Sequence, residues 1–563
     1  MPVHGPGRDG RHRAHAPVPA SERHPAALSA RRPPPGRHDL GKHPRAGLAR
    51  LPGAGRTAEG HALREGARVN LVLSSRVWVT LLCLLGALRV WVFAAALPPF
   101  HPLDEAFHYD LVVKYARGHV PVRLTDERLD PATREAIVRF GTGISNPRSD
   151  SILLHRSPEY LNPRPPDGMP PPVWTAPPAI GAAAVPWGMR DWDRLNYEAV
   201  EPPLYYLVAG AWYRLGTALG LSGGRLFYWT RFLNALLEAA IVAVAVGAAR
   251  LAMTEAPALA VGVALFVALV PRGSFYGVSN DALAPLTSGL AFYALLRLAR
   301  ESAPSLALSI GAGALVAAAL LTKTTAIAML LVLGVALAGR RPWASRAEAI
   351  RALTTLASMA VPLLAWQSLY WIAGEPSGPT QKAMALGWTP KGLDELWPHP
   401  IFGLPFVTVF LRGLLATFWR GDLVWHLAPI GWPHLDLVYA GSTLVCVVAA
   451  IVRRPRWAQV GIWSSAAAVL GTIAFLALLS IRFHFGARTQ HPSPSSPYFT
   501  AGRLLLAVLV PIALLYVSGL ARILRDDRRA VVALAVLLLV LTGAEVATTR
   551  AIFGSPYNWF HLP

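Results

Sequence analysis

In the stretch PPFHPLDEAFHYDLVVKYARGHVP, which begins at Pro98, the residues Asp104, Glu105, His108 and Asp110 crowd together directly after a long apolar run. A carboxylate at such a boundary is suited to take a proton from a hydroxyl group or to ligate a metal ion. It is equally suited to cap a helix. Asp104 follows Pro102 and reads as a helix start, although Phe107 three residues on gives no capping box. Leu103, Phe107 and Leu111 then form an i, i+4, i+8 apolar row, which predicts a helix lying along the membrane surface with Asp104 and His108 on the adjacent row.

Four further stretches bring polar groups to the edges of apolar runs. VSNDAL places Asn280 and Asp281 at the head of one run, where the acid either caps a helix or supplies a second carboxylate to a two-acid or metal-assisted site. LLTKTTA places Lys323 between two runs with Thr322, Thr324 and Thr325 around it; an ionisable group at membrane depth is a functional candidate, and snorkelling to the interface is the alternative. YFTAGRLLL puts Arg503 at the start of a run, after Tyr498 and Gly502. An arginine there runs against the usual sidedness of positive charge and calls for an anionic partner, for which the guanidinium is shaped to match phosphate. Arg482, Arg488, His484 and His491 add to that patch, and Arg420, Asp422 and His426 add to it more weakly. EPPLYYLVAGAWYRLG, from Glu201, offers Tyr205, Tyr206, Trp212 and Tyr213 either as interfacial anchors or as surfaces that stack on a sugar or lie beside a lipid tail.

The elements that position these groups are helices in a bilayer. Of 563 residues, 53% are hydrophobic and 15% charged, and the mean hydropathy is +0.39, which marks an all-α polytopic membrane protein. The net charge of +21 gathers in the N-terminal tail and between apolar runs, so it reports topology and not a nucleic-acid partner. Lysine occurs only at Lys42, Lys114, Lys323, Lys382 and Lys391, which makes each one worth inspection. The two cysteines, Cys83 and Cys446, lie far apart inside apolar runs and indicate neither a disulfide framework nor a cysteine metal site.

Runs long enough to span fall near 76–97, 226–249, 255–271, 281–298, 304–321, 324–339, 350–373, 434–452, 457–480, 502–523 and 530–548. Two shorter or broken ones, 202–220 and 401–418, bring the expected total to 11 to 13. Arginine clusters after 338, at 453 and at 522 should be cytoplasmic, which turns the loops 98–201, 374–433 and 481–499 outward. Parity then requires that 202–220 does not cross. Residues 1–68 are rich in Arg, His, Pro and Ala without apolar period and read as a disordered cytoplasmic tail or as a start codon placed too early. Residues 69–563 form the membrane domain, with 98–201 as its first outer loop. The charges singled out within spans are Arg89, Arg231 and Glu238, the last two at a loose i, i+7 spacing.

PLDEAFHYDLVVKYARGHVPV on a long outer loop, then PPLYYL, VSNDAL, LLTKTTA and YFTAGRLLL, is an order of motifs that resembles the GT-C superfamily of integral-membrane glycosyltransferases. It is most similar to bacterial relatives of the protein O-mannosyltransferases and aminoarabinose lipid A transferases, and to membrane families of predicted glycosyltransferases. The resemblance covers most of 76–548 and departs at the last motif, where Leu504 replaces the expected aromatic.

It implies an enzyme of the bacterial plasma membrane that moves a sugar, with inversion, from a polyprenyl-phosphate-linked donor to a glycan, lipid or protein acceptor at the outer face. The catalytic acids would be Asp104, with Glu105 as the neighbouring alternative, and Asp281; the substrate-binding groups would be His108, Asn280, Lys323, Tyr498 and Arg503. No cofactor is certain; a divalent cation would draw on Asp104, His108 and Asp281. A secondary transporter or flippase, or a noncatalytic protein of envelope-polysaccharide assembly, is the alternative. A transporter would need ionisable groups in mid-span and broken helices in matching halves.

Overall fold

The computed structural model describes residues 57–100, 104–141 and 172–563, the last range apart from 176–178, 180–184, 187, 191, 422–423, 426–427, 430, 453–458 and 487–491. Two units are distinguished, Met1–Ala67 and Arg68–Pro563, and the fold below belongs to the second. The expected disordered tail lies outside the described residues up to 56, and the first helix begins at Thr57.

In chain order the helices are α1 (Thr57–Ala96), α2 (Glu105–Ala116), α3 (Pro131–Phe140), α4 (Leu204–Ala218), α5 (Gly223–Ala252), α6 (Pro257–Leu269), α7 (Ala284–Arg300) and α8 (Leu306–Leu320). They continue with α9 (Met329–Arg340), α10 (Arg346–Ile372), α11 (Gly378–Ala385), α12 (Arg412–Arg420), α13 (Asp436–Val452), α14 (Gln459–Arg482), α15 (Leu509–Leu524) and α16 (Asp527–Phe553). Local chemistry sets several starts. Ser345 accepts from the amide of Glu348 in a capping-box sequence, Ser305 and Asp526 cap α8 and α16, and Pro257 and Pro285 occupy first-turn positions where no amide donor is needed.

All eleven expected spans are helical. Among the described residues eight segments are long and apolar enough to cross a membrane, Arg76–Ala96, Gly223–Ala252, Asn280–Arg300, Arg346–Ile372, Pro433–Val452, Gln459–Arg482, Gly502–Leu524 and Asp527–Phe553. Pro257–Leu269, Leu306–Leu320 and Thr324–Arg340 are shorter. The segment 202–220 does not traverse the bundle. The amide of Leu204 bonds to the carbonyl of Leu321, and the amide of Ser279 to the hydroxyl of Tyr205, so α4 starts level with the loops. It then forms a hairpin with α5, in which Trp212 and Trp229 stack at 4.3 Å and each indole donates to the other's carbonyl.

The two ends of the bundle differ in charge. One carries Arg300, Arg340, Arg346, Arg351 and Arg525, with Arg340 bonded to the carbonyls of Leu298 and Glu301 and to Glu348. By the positive-inside rule that end is cytoplasmic. The opposite end gathers the first loop, the starts of α7, α9 and α15, and α11.

Charges inside the bundle are closed into pairs, because an unpaired ion there loses its hydration without compensation. Arg231 and Glu238 do not pair with each other. Arg231 grips Glu105 through two nitrogens at 2.6 and 2.5 Å, Glu238 pairs with Arg272, and Arg89 pairs with Glu545, which also accepts from Tyr276 at 2.5 Å. The surface-lying helix expected after Pro98 is likewise corrected: α2 is buried from Glu105 to Tyr115, because α4 and the first loop cover the faces that the apolar row leaves polar. Tyr205 and Tyr206 are fully buried and are not interfacial anchors.

Candidate functional site

Asp104 stands at the threshold of α2 with φ +61°, in the left-handed region, and its side chain makes no capping bond. The carboxylate instead accepts from the hydroxyl of Tyr197 at 3.0 Å and lies 3.5 Å from the guanidinium of Arg503, at 26% exposure. Burial alone would raise its pKa, but Arg503, His108, Lys382 and the Tyr197 hydroxyl together hold it below the ordinary aspartate value. Tyr197 is placed by its neighbour: the buried Asn196 donates to the carbonyl of Phe107 and to Asp110, and accepts from the amide of Glu198.

Asp281 does not cap its helix. Ser279 caps the short turn Asn280–Ala282 by accepting from the Asp281 amide, which leaves the carboxylate free to turn toward Lys323 and, at 3.9 Å, Arg503. Lys323 sits at the entry to the turn Thr324–Ala328 and also reaches Asn280 at 3.5 Å. Asn280 donates to Glu201 at 3.1 Å, and Lys382 on α11 donates to Glu201 and Glu198 at 2.6 and 2.5 Å. One continuous polar chain therefore runs from Asp104 through Arg503, Asp281, Lys323, Asn280, Glu201 and Lys382 to Glu198. Burial pushes Glu198 up to about 7 in spite of Lys382, with Glu201 and Asp104 adding repulsion. Burial works in the same direction on Glu201, but Lys382 takes it down to about 2.

His108 faces this chain from α2 and bonds through Nδ1 to the hydroxyl of Tyr206 at 2.7 Å; burial drives its imidazole down to about 4, so the ring is neutral. Asp104, His108, Asn280, Asp281, Lys323 and Arg503 are thus brought together. Glu105 is not. Both its oxygens are taken by Arg231 and by the amides of Phe100 and Val278, because the left-handed turn at Asp104 points adjacent side chains in opposite directions. Tyr498 packs edge-on to His399 at 5.6 Å, away from the acids. Arg420 pairs with Asp436, His484 with Glu395, and Arg482 with the carbonyl of Lys391. Asp422, His426, Arg488 and His491 lie outside the described residues.

Tyr197, Glu198, Glu201 and Lys382 join the site without having been expected there. The scarcity of lysine pointed at Lys382, and Glu201 opens the PPLYY stretch; nothing in the residue pattern marked Tyr197 or Glu198.

A narrow cleft opens beside Arg503, with Arg272, Ser274, Ser279, Phe418, Gly421 and Leu506 among its walls. Its narrowness follows from Gly502, where a Cβ atom would stand 2.0 Å from the Phe418 nitrogen, so α12 and the start of the last pair of spans touch backbone to backbone.

Metal ligation needs several free oxygens or imidazoles converging on one point. Among the described residues no three His, Cys, Asp or Glu side chains do so, and Asp104 and Asp281 are turned to the cations Arg503 and Lys323. The arrangement does not fit a metal ion, and no step below passes through one.

The chain belongs to the family described as Predicted membrane protein (DUF2142), which matches residues 85–553. No curated protein sequence matches it. Among solved structures it is similar to ArnT from Cupriavidus metallidurans in the apo state, at 14% identity and a TM-score of 0.40 over 86% of this chain and 74% of that one. ArnT bound to undecaprenyl phosphate gives 14%, 0.38, 84% and 73%. The archaeal oligosaccharyltransferase AglB from Archaeoglobus fulgidus, in complex with an inhibitory peptide and a dolichol-phosphate, gives 12%, 0.35, 84% and 56%. Likenesses this distant carry no chemistry over to this chain.

Proposed function

We propose that this protein is a membrane glycosyltransferase that moves a sugar from a polyprenyl-phosphate-linked donor to an acceptor hydroxyl or amide at the outer face of the plasma membrane. The observation that carries this is one half-buried carboxylate, Asp104, kept ionised beside the cation Arg503, with a second cation, Lys323, joined to the same polar chain through Asp281. A base and a pair of cations are what inverting transfer from a phosphate leaving group needs. The acceptor's nucleophilic atom attacks the anomeric carbon from the side opposite the phosphate, and Asp104 takes its proton. Negative charge gathers on the departing phosphate oxygen and is neutralised by Arg503 and Lys323. Asp281 holds the two cations on the donor side, and the half-buried site excludes much of the water that would compete as acceptor.

The test is turnover by purified protein in nanodiscs, given a panel of polyprenyl-phosphate-linked monosaccharides and a cell-envelope extract as acceptor, with and without EDTA. Sugar release that requires Asp104 supports the proposal. Folded protein that consumes no donor of the panel rejects it.

A further inference from the structure

We infer that the donor carries two phosphates, the second of them seated in the cleft at Arg272; this deepens the glycosyl-transfer reading above and rests on it. Arg272 is 3% exposed and lines the cleft together with Arg503. One of its terminal nitrogens, Nη2, serves both Glu238 and the carbonyl of Val267, while Nε and Nη1 have no hydrogen-bond partner. Buried donors left in that state are costly, and the partner assigned to them is an oxyanion entering the cleft that Arg272 lines.

The lining is fitted to an anion. Arg272 and Arg503 are its only charged residues among those described, and no carboxylate faces it. Gly273, Gly277 and Gly421 put no side chain into it, so a ligand can approach the main chain. Gly421 has φ +78°, and a Cβ there would lie 3.6 Å from the amide nitrogen of Gly273. Val278, Phe418 and Leu506 supply an apolar wall on which the first isoprenoid carbons can lie.

Arg503 and Lys323 are committed to the phosphate next to the sugar, because they adjoin Asp104 and Asp281. Arg272 is on neither acid, so it serves the phosphate esterified to the prenyl chain. In the transfer step the acceptor forms its bond to the anomeric carbon as the bond from that carbon to the proximal phosphate oxygen breaks. The electron pair stays on that oxygen, the acceptor proton passes to Asp104, and prenyl diphosphate leaves.

The experiment is equilibrium binding of farnesyl diphosphate, farnesyl monophosphate, farnesol and inorganic pyrophosphate to the full protein in nanodiscs. Wild type is expected to bind the diphosphate about tenfold or more tighter than the monophosphate. The paired substitution Arg272→Gln with Glu238→Gln, which leaves no lone buried charge, should bring the two ligands near parity without weakening the monophosphate. Ser274→Phe narrows the cleft without altering a charge and should do the same, so the test survives if the pair fails to fold. Pyrophosphate that competes in wild type but not in the variants supports a seat for two phosphates and separates it from a requirement for the lipid. Equal binding of the two farnesyl ligands by wild type, or a preference that persists in the folded variants, overturns the inference. None of these readouts involves sugar transfer, so failure here leaves the proposed activity standing, and absence of turnover leaves a measured diphosphate preference standing.

Discussion

At Asp104 the left-handed backbone sends the carboxylate toward Tyr197 and Arg503 while Glu105, one residue on, points back at Arg231. Two acids that no pattern in the chain distinguishes thereby take different work. Asp104→Asn is expected to lower transfer by about 10²–10⁴-fold with donor binding nearly unchanged, as loss of a general base would; Glu105→Gln should instead lower thermal stability, and the pair of measurements separates the roles. Because the Asp104 pKa is held below its ordinary value, by Arg503 first, the carboxylate stays ionised at mild acidity, and the acid limb of the rate profile should lie below the ordinary aspartate range.

Glu198 has the opposite sign. Its pKa rises to about 7 on folding, so between the unfolded value of 4.5 and that point the unfolded chain sheds a proton that the folded one keeps. Stability is therefore expected to fall as pH rises through this window, and Glu198→Gln should flatten the slope of the melting temperature against pH. Asp104, Asp281, Lys323 and Arg503 could be picked out in advance because each interrupts an apolar edge. Glu198 could not, because it lies in a polar loop where one more carboxylate carries no signal.

Helix ends position the site, and the contacts behind them are backbone to backbone. Gly502→Ala would drive a methyl group into Phe418, push the start of the last pair of spans off α12 and carry Arg503 with it. The expected outcome is a loss of turnover larger than the loss of folded protein, read by comparing activity with the size-exclusion profile. The Arg231–Glu105 clamp does a different job, tying α5 to α2. Arg231→Met alone is expected to cost about 3–5 kcal/mol, because Glu105 is left buried without its cation. Restoring neutrality with Arg231→Met and Glu105→Leu together should recover much of that on a denaturation curve in mild detergent. The eleven spans were readable from apolar run length, and α2 from its proline start and apolar row. The burial of α2 was not, since its single apolar row looks like a surface helix until α4 and the first loop are packed over the remaining faces.

For the molecule as a whole, sidedness rests on α4 turning back and on arginine collecting at one end. With Cys83 and Cys446 replaced by alanine, single cysteines at Gly220 and Gly392 should react with an impermeant maleimide in intact cells, and one at Arg341 should react only after lysis. Labelling of Gly220 from the same side as Arg341 would reverse the assignment of α4. The parity of arginine clusters is what predicts this topology, whereas the inter-helix ion pairs have no such signal, because partners such as Arg89 and Glu545 stand 456 residues apart.

The same remoteness bears on how the protein is made. Asp104 and Arg503 are separated by 399 residues, so during synthesis the first loop emerges long before the span that bears its cation has left the ribosome. An unfinished chain can insert its early helices and expose its acids, yet it holds no assembled centre. Premature truncation anywhere before the final spans should leave a membrane polypeptide without the Asp104–Arg503 pair.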